Sequence, residues 1–415
     1  MNETQSATPT VYLDLGGFRP SASPVRGSVR EWEGENVFHL SAVPPEHGYG
    51  IGGECLFMAS DLDEPSFTPD GLASFAVLVR GDGAKVFQAT DGAWRAVDAE
   101  TIPERDGLYS RGRGLLETDA LAAKRVLIVG LGSFGSQIAI ELAKAGVGHF
   151  SLMDFDRVEP HNLMRHVCGT RDLGRLKTDA VRDAILGKNP YAEVARFPVD
   201  AVQSPDLLET EVMRANLVIC ATDNNPSRFA ISGALLRQER TGIFGRAVTR
   251  AAGGDVFRYH PGGPCYCCLI GNGWFDRHSE EITDERAARR DGRIPAYMSA
   301  ADAAAVIQVG LSADIAPICN LMEKLALVEL SRGTESGIGE LDYELPYDYY
   351  MWANRREHTY ASWAPFNGAG AKPTILRWYG VRVPRDPECA FCGENIVLDE
   401  GDDIEDSLTA LEGIR

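Results

Sequence analysis

Arg125-Val126-Leu127-Ile128-Val129-Gly130-Leu131-Gly132-Ser133-Phe134-Gly135 is the stretch that decides the fold. Its first five residues form a compact apolar, β-branched run, suited to a strand buried on both faces. Three glycines in Gly-x-Gly-x-x-Gly spacing follow. Phe134, Ile138 and Leu142 then recur at i, i+4 and i+8, which predicts a helix closing at Gly146. The next strand is predicted over His149-Phe150-Ser151-Leu152-Met153 and ends at Asp154. Strand, Gly-rich turn, helix, strand and acid make a βαβ unit, so the expected fold is α/β with a doubly wound, mostly parallel sheet. A later strand over residues 216–221 delivers Thr222-Asp223-Asn224 to its carboxyl end.

The Gly-rich turn brings backbone N–H groups and a helix N-terminus against phosphates, where side chains would block close approach. With Asp154 as the ribose acid, the pattern's default owner is an NAD-dependent oxidoreductase. The residues beyond Asp154 argue otherwise. A polar loop, Asp154-Phe155-Asp156-Arg157-Val158-Glu159-Pro160-His161-Asn162-Leu163-Met164-Arg165, is followed by Lys177. A triphosphate needs such cations around its β- and γ-phosphates, whereas a dinucleotide needs few. No Gly-x-x-x-x-Gly-Lys-Ser/Thr loop occurs, which excludes a conventional P-loop. Asp223 can hold Mg²⁺, an ion that takes one or two carboxylates plus phosphate oxygens. Asp156 and Asn162 are equally suited to shaping the loop. Nothing pairs His161 or His166 with a nucleophile.

Working outward, residues 1–105 read as short β-prone segments (11–15, 36–40, 55–59, 75–80 and 85–89) with turns at Gly81-Asp82-Gly83 and Asp91-Gly92. This is expected to be a small β-rich accessory or docking domain without a chemical motif. Residues 106–395 hold the nucleotide-binding domain. Within it, 272–297 is a charge-dense crossing segment, and helical spacing resumes over 300–306 and 315–330. An aromatic-rich region over 341–380 either packs β structure against the sheet or forms a partner-binding surface. Residues 396–415 are an acidic tail.

The 415 residues are 44% hydrophobic and 24% charged, an ordinary globular balance. A net charge of −19 excludes a general nucleic-acid binder, which needs clustered Lys and Arg, but leaves room for a local basic pocket. No run approaches the roughly 18–20 apolar residues of a membrane helix. The N-terminus lacks a signal peptide's basic start and apolar core, so a cytoplasmic location is expected.

Nine cysteines include two distant Cys-x-x-Cys pairs, in Pro264-Cys265-Tyr266-Cys267-Cys268 and Glu388-Cys389-Ala390-Phe391-Cys392-Gly393. In a reducing compartment this favours metal over disulfides. Each turn can supply two corners of a tetrahedron, tying the C-terminal region back to the domain body. A redox pair would want a helix start, and none reads at either turn.

From Arg125 to Asp223 the chain resembles the ThiF, MoeB and ubiquitin-activating-enzyme superfamily. The match rests on the Gly-rich turn, Asp-Phe-Asp-x-Val with Asn-Leu-x-Arg, the lysine, and Ala-Thr-Asp-Asn. The resemblance implies a ThiF-like adenylation domain. In it Gly130, Gly132, Gly135, Asp154, Asp156 and Asn162 bind the nucleotide, Arg165 and Lys177 hold phosphates, Asp223 handles Mg²⁺, and Arg228 is a further nucleotide-binding arginine. Tyr109-Ser110-Arg111 matches a segment whose arginine reaches a neighbouring subunit's ATP, which implies a homodimer with Arg111, rather than the nearby Arg113, in that role. Zinc-bearing members show Pro-Cys-Tyr-x-Cys and a C-terminal Cys-x-x-Cys-Gly. That selects Cys265, Cys268, Cys389 and Cys392 as ligands of a structural zinc, and leaves Cys267 out.

The implied activity is ATP-dependent adenylation of the C-terminal glycine carboxylate of a ubiquitin-like protein, with ATP, Mg²⁺ and Zn²⁺ as cofactors. The additional N- and C-terminal regions resemble activating enzymes of bacterial ubiquitin-like conjugation operons, several of them antiviral, which would add a conjugating enzyme as partner. The alternatives are a sulfur-carrier protein of the thiamine or molybdenum-cofactor type, a peptide substrate, or a non-catalytic nucleotide-binding scaffold. The family's thioester cysteine is missing from its usual place, because no cysteine lies between Cys268 and Cys319. Cys319, Cys168, Cys55 and Cys267 remain as weak candidates, and Cys220 reads as core.

Overall fold

The computed structural model describes residues 8–15, 18, 21–32, 36–42, 53–69, 71–81, 83–102, 105–116, 118–271, 310–335, 337–357, 360–365, 370 and 372–393. The expected crossing segment 272–297, the helical stretch 300–306 and the acidic tail 396–415 lie outside these residues. The chain forms two compact units, Met1–Arg111 and Gly112–Arg415.

In the first unit, eight strands build one sheet: β1 (Thr10–Asp14), β2 (Val25–Trp32), β3 (Val37–Ser41), β4 (Gly53–Ala59), β5 (Ala73–Arg80), β6 (Gly83–Thr90), β7 (Ala93–Val97) and β8 (Ala99–Thr101). Their order is β7-β6-β5-β4-β2-β3-β1-β8. The β6–β7 hairpin turns on Asp91 (φ 54°) and Gly92 (φ 78°), two left-handed residues in succession, as a two-residue hairpin loop requires. Its core gathers Val11, Leu13, Leu40, Phe57, Phe75 and Val77. A short helix, α1 (Arg105–Leu108), follows.

The second unit opens with α2 (Thr118–Ala122), β9 (Arg125–Val129), α3 (Ser133–Lys144) and β10 (His149–Met153). Next come α4 (Lys177–Leu186), β11 (Glu193–Phe197), α5 (Pro205–Arg214), β12 (Leu217–Cys220), α6 (Asn225–Arg237) and β13 (Gly242–Ala247). The sheet runs β11-β10-β9-β12-β13, all parallel. The sequence-expected doubly wound architecture is therefore present. β9 lies at its centre, and the chain reverses direction across the sheet between β9 and β12. Val126 and Ile128 enter one apolar cluster while Leu127 and Val129 enter the other, so β9 is buried on both faces.

Three antiparallel strands, β14 (Gly253–Tyr259), β15 (Tyr349–Ala353) and β16 (Arg377–Val381), extend this sheet. The aromatic-rich region thus resolves, among the described residues, toward sheet packing. Tyr349, Tyr350 and Trp352 are buried there, whereas Tyr343 is exposed. The remaining helices are α7 (Tyr266–Gly271), α8 (Ser312–Leu330) and α9 (Leu341–Glu344). α8 carries Ile315, Ile318, Cys319, Met322 and Leu325 into the core. Among the described residues no helix is long and apolar enough to cross a membrane.

Candidate nucleotide site and cysteine cluster

At the switch point a cavity of about 470 Å³ opens, lined by the carboxyl ends of β9, β10, β12 and β13. Crevices at this place in open α/β sheets are where ligands bind, and the volume lies in the range of small-molecule sites. The Gly-rich turn forms its floor. Gly130 takes φ 85°, and a Cβ there would meet the Ala221 carbonyl oxygen at 2.8 Å, so only glycine allows β9 to turn this close to β12. A Cβ on Gly132 would meet no protein atom within 4 Å, leaving its backbone open to a ligand. Gly135 does not line the cavity. It is needed for packing, since a Cβ would lie 1.9 Å from the Gly130 carbonyl oxygen.

Asp154, at the end of β10, is only 9% exposed. Its Oδ2 accepts the Leu131 amide at 2.6 Å and its Oδ1 the Asp156 amide at 2.8 Å. The carboxylate thereby clamps the Gly-rich turn to the following loop. Burial pushes its carboxyl up, against the pull of the Lys177 ammonium and the two amides. Lys177 is buried at the first turn of α4, and its Nζ donates to Asp156 Oδ2 at 2.7 Å. Burial disfavours that ammonium, but Asp154, Asp156 and Asp223 outweigh it, and the lysine is held more strongly protonated than usual.

Asn162 Oδ1 accepts the Glu159 amide at 3.0 Å, so this side chain shapes the loop as well as lining the cavity. Arg165 also lines the cavity. Among the described residues its Nε is buried and makes no hydrogen bond, and burial lowers the affinity of the guanidinium for its proton. The Arg165 carbonyl accepts from Gln137 at 3.2 Å. His166 Nε2 lies 2.7 Å from the Leu131 carbonyl and its Nδ1 accepts the Cys168 amide, which fixes one neutral tautomer. Its part is to hold the loop. Asp223 and Asn224 are exposed at the cavity mouth. Arg228, from α6, donates through Nη2 to the Thr222 carbonyl at 2.7 Å and so braces the turn carrying Asp223.

The structure therefore brings Gly130, Gly132, Asp154, Asp156, Asn162, Arg165, Lys177, Asp223 and Arg228 around one cavity. Arg111 lies exposed in a 3₁₀ turn, Ser110–Gly112, at the end of the first unit. Sequence reasoning missed Asp200, beyond β11, and Arg246, at the end of β13, which also line the cavity. The available signal for Arg246 was a lone cation inside an otherwise apolar strand, with Asp255 waiting in the next one.

The four expected zinc ligands converge. Sγ of Cys265 lies 3.8 Å from Cys268 and 3.6 Å from Cys389, and Cys268 lies 3.4 Å from Cys392. All four sulfurs fall within 4.8 Å of one another, and all are buried. Four sulfurs about 2.3 Å from a tetrahedral zinc are separated by about 3.8 Å. The Asp386 and Phe391 amides point at Cys268 and Cys389 sulfurs, at 3.5 and 3.4 Å, as donors to thiolates would. The residues fit Zn²⁺ with no position left for chemistry. One expectation fails here: α7 starts at Tyr266, directly after Cys265, so the first pair does sit at a helix start. The fourfold sulfur contact, rather than helix position, is what argues against a simple dithiol.

Every one of the nine cysteines is buried. Burial pushes the thiols of Cys55 and Cys168 up to about 12 and that of Cys319 higher still. Cys267 is buried beside the quartet without joining it.

A doubly wound sheet with a Gly-rich turn, an acid on the next strand and cations over its switch point defines a nucleotide-binding α/β protein. The chain belongs to the ThiF family, whose profile matches residues 108–332. It is 34% identical over 173 residues to the molybdopterin-synthase adenylyltransferase of Escherichia coli (strain K12), covering 41% of this chain and 69% of that protein. It is 34% identical over 165 residues to the uncharacterized protein y4oA of Sinorhizobium fredii, covering 36% of this chain and 28% of that one. It is 32% identical over 158 residues to the adenylyltransferase and sulfurtransferase UBA4 of Eremothecium gossypii, covering 38% and 35% respectively. Among solved structures, E. coli MccB is similar at a TM-score of 0.47 and 17% identity, over 68% of this chain and 69% of that one.

Proposed function

We propose that this protein adenylates the C-terminal glycine carboxylate of a small ubiquitin-fold protein. One observation carries the reading: a half-buried arginine, Arg165, whose buried Nε has no hydrogen bond among the described residues, shares a switch-point cavity with Lys177 and Asp223. Leaving the buried Nε of a guanidinium unbonded is costly, and an anionic ligand would offset that cost. Amides of the Gly130–Gly132 turn and the N-terminus of α3 would take phosphate oxygens. Arg165 and Lys177 would neutralise the β- and γ-phosphates. Asp223 would hold Mg²⁺, which supplies positive charge to the departing pyrophosphate.

In this scheme a carboxylate oxygen of the partner attacks the α-phosphorus. The bond from that phosphorus to the bridging oxygen breaks, pyrophosphate leaves with the electron pair, and an acyl-adenylate remains. The burial of all nine thiols favours a chain that stops there, releasing the adenylate to a second protein or to a nucleophile in trans. The adenylyltransferase names of the E. coli and Eremothecium relatives support the chemistry, and a sulfur-carrier protein in place of a ubiquitin-like modifier is the second reading of the substrate. Arg111 acting on a second copy's nucleotide would make the working form a homodimer.

The test is ATP–pyrophosphate exchange with purified ubiquitin-fold proteins ending in free glycine. Exchange should appear with one of them and fall at least about a hundredfold in Asp223→Ala. Absence of exchange with every such partner would sink the proposal.

A further inference from the structure

Asp200 lines the nucleotide cavity just past the end of β11 at Phe197, half-buried, and takes no part in the scheme above. Its Oδ1 accepts the Val202 amide at 2.9 Å, which fixes the side chain. Its Oδ2 has no partner among the described residues. The next residue, Ala201, also lines the cavity and is only 5% exposed. Its amide makes no hydrogen bond among the described residues, and a buried residue seldom leaves its N–H unpaired in a native fold. An acceptor and a donor thus lie on consecutive residues of the cavity wall. We propose that Asp200 reads the nucleobase: its second carboxylate oxygen accepts the exocyclic amine of adenine, while the Ala201 amide donates to the adjacent ring nitrogen. The inference rests on the adenylation reading above and names the residue that makes its nucleotide ATP.

Strand order supplies the position. β11 is the edge strand beside β10, and the Asp154 amide donates to the Phe197 carbonyl at 3.2 Å, joining the two strand ends. With the ribose on Asp154 at β10 and the phosphates over the Gly-rich turn at β9, the base is carried to the opposite side, over β11. Phe155 and Val199 give it apolar neighbours there, as a cavity with a few placed polar groups should. The edge of adenine carries an amine donor beside a ring-nitrogen acceptor, the complement of a carboxylate oxygen beside an amide. Guanine reverses both, setting a carbonyl oxygen against the carboxylate and an N–H against the amide. A carboxylate that selects guanine faces the ring N–H and the amine with its two oxygens, and in Asp200 one oxygen is already held by Val202.

Calorimetry on the full chain, with Mg²⁺ and without an acyl partner, isolates this contact. Purine riboside triphosphate is ATP without the exocyclic amine, so the two probes differ only in the group that Asp200 would hold. The wild type should bind ATP at least about tenfold more tightly, the scale of one hydrogen bond to a charged group. Asp200→Ala should bring ATP to within about twofold of purine riboside triphosphate and leave the latter unchanged. Asp200→Asn keeps the Val202 bond through its amide oxygen and turns an NH2 toward the base, so it serves where Asp200→Ala does not fold. In that variant ATP should weaken, and inosine triphosphate, which carries a carbonyl oxygen in place of the amine, should tighten. Equal weakening of ATP and purine riboside triphosphate in Asp200→Ala, with Asp200→Asn unchanged from the wild type, would make Asp200 a loop-shaping residue and overturn the proposal. Equal affinity of the wild type for ATP and purine riboside triphosphate would overturn it too, with the adenylation reading intact. If the wild type binds neither, the adenylation reading itself falls, taking the base contact with it.

Discussion

Arg165 and Lys177 meet the same cavity under different terms. The lysine is already compensated by Asp154, Asp156 and Asp223, whereas Arg165 Nε stays unbonded among the described residues. Removing each should therefore have opposite effects on the ligand-free protein. Arg165→Ala relieves a desolvated cation, so its melting temperature should match or exceed the wild type's while pyrophosphate exchange falls sharply. Lys177→Met leaves a buried carboxylate uncompensated and should lower both. Differential scanning calorimetry beside the exchange assay reads this split, and a large stability loss in Arg165→Ala would contradict it. Both residues were legible in the sequence because they stand at fixed places after a predicted strand end. Arg246 was not, because its partner Asp255 is contributed by a strand whose pairing the sequence did not reveal.

The elements differ in how openly they declare themselves. β9 and β10 could be read residue by residue, since continuous apolar runs follow from burial on both faces. β14 was hidden by Gly253-Gly254, which looks like a turn. These glycines instead admit close neighbours: a Cβ would strike the Trp352 carbonyl at 2.3 Å from Gly253 and the Ile318 Cδ1 at 2.1 Å from Gly254. β11 went unread because it is an edge strand with exposed Glu193 and Arg196 and no apolar run. At the Gly-rich turn, Gly130→Ala combines a left-handed φ with the Ala221 contact, so nucleotide binding and stability should fall together by about 2 kcal/mol or more. Chemical denaturation checks it.

Between α8 and β14, Glu329 bonds Arg258 at 3.1 Å, His260 at 2.9 Å and Arg332 at 2.6 Å. Burial alone would raise its carboxyl. The bonds from His260 and Arg332 outweigh burial and bring it down from 4.5 to about 2. A depressed carboxyl stabilises the fold in full above its unfolded value and loses that contribution as pH falls toward about 2. The contribution is on the order of 3 kcal/mol. Glu329→Gln should lower the melting temperature at neutral pH and flatten the loss of stability between about pH 4.5 and 2. An unchanged acid limb would refute the assignment.

At the scale of the molecule, the parallel sheet was legible from one βαβ unit, the family from the several motifs between Arg125 and Asp223, and the cysteine quartet from two short turns. The three antiparallel strands that complete the sheet were not, because long-range pairing leaves little mark on local sequence. A strong chelator should lower the melting temperature and expose the four thiols to a colorimetric reagent. Cys389→Ser should do likewise, and an unaffected melting curve would remove metal from the account.

The sulfurs of Cys265 and Cys389, like those of Cys268 and Cys392, meet across 124 positions of sequence. With a metal ion at their centre, everything between the two turns becomes a closed ring of polypeptide. A cross-link over about a hundred residues restricts the unfolded chain by on the order of 4–5 kcal/mol. A ring can also be opened without coming apart. A protease cut anywhere from Leu269 to Glu388 would leave two pieces that migrate together on a native gel, and chelation would weaken their hold.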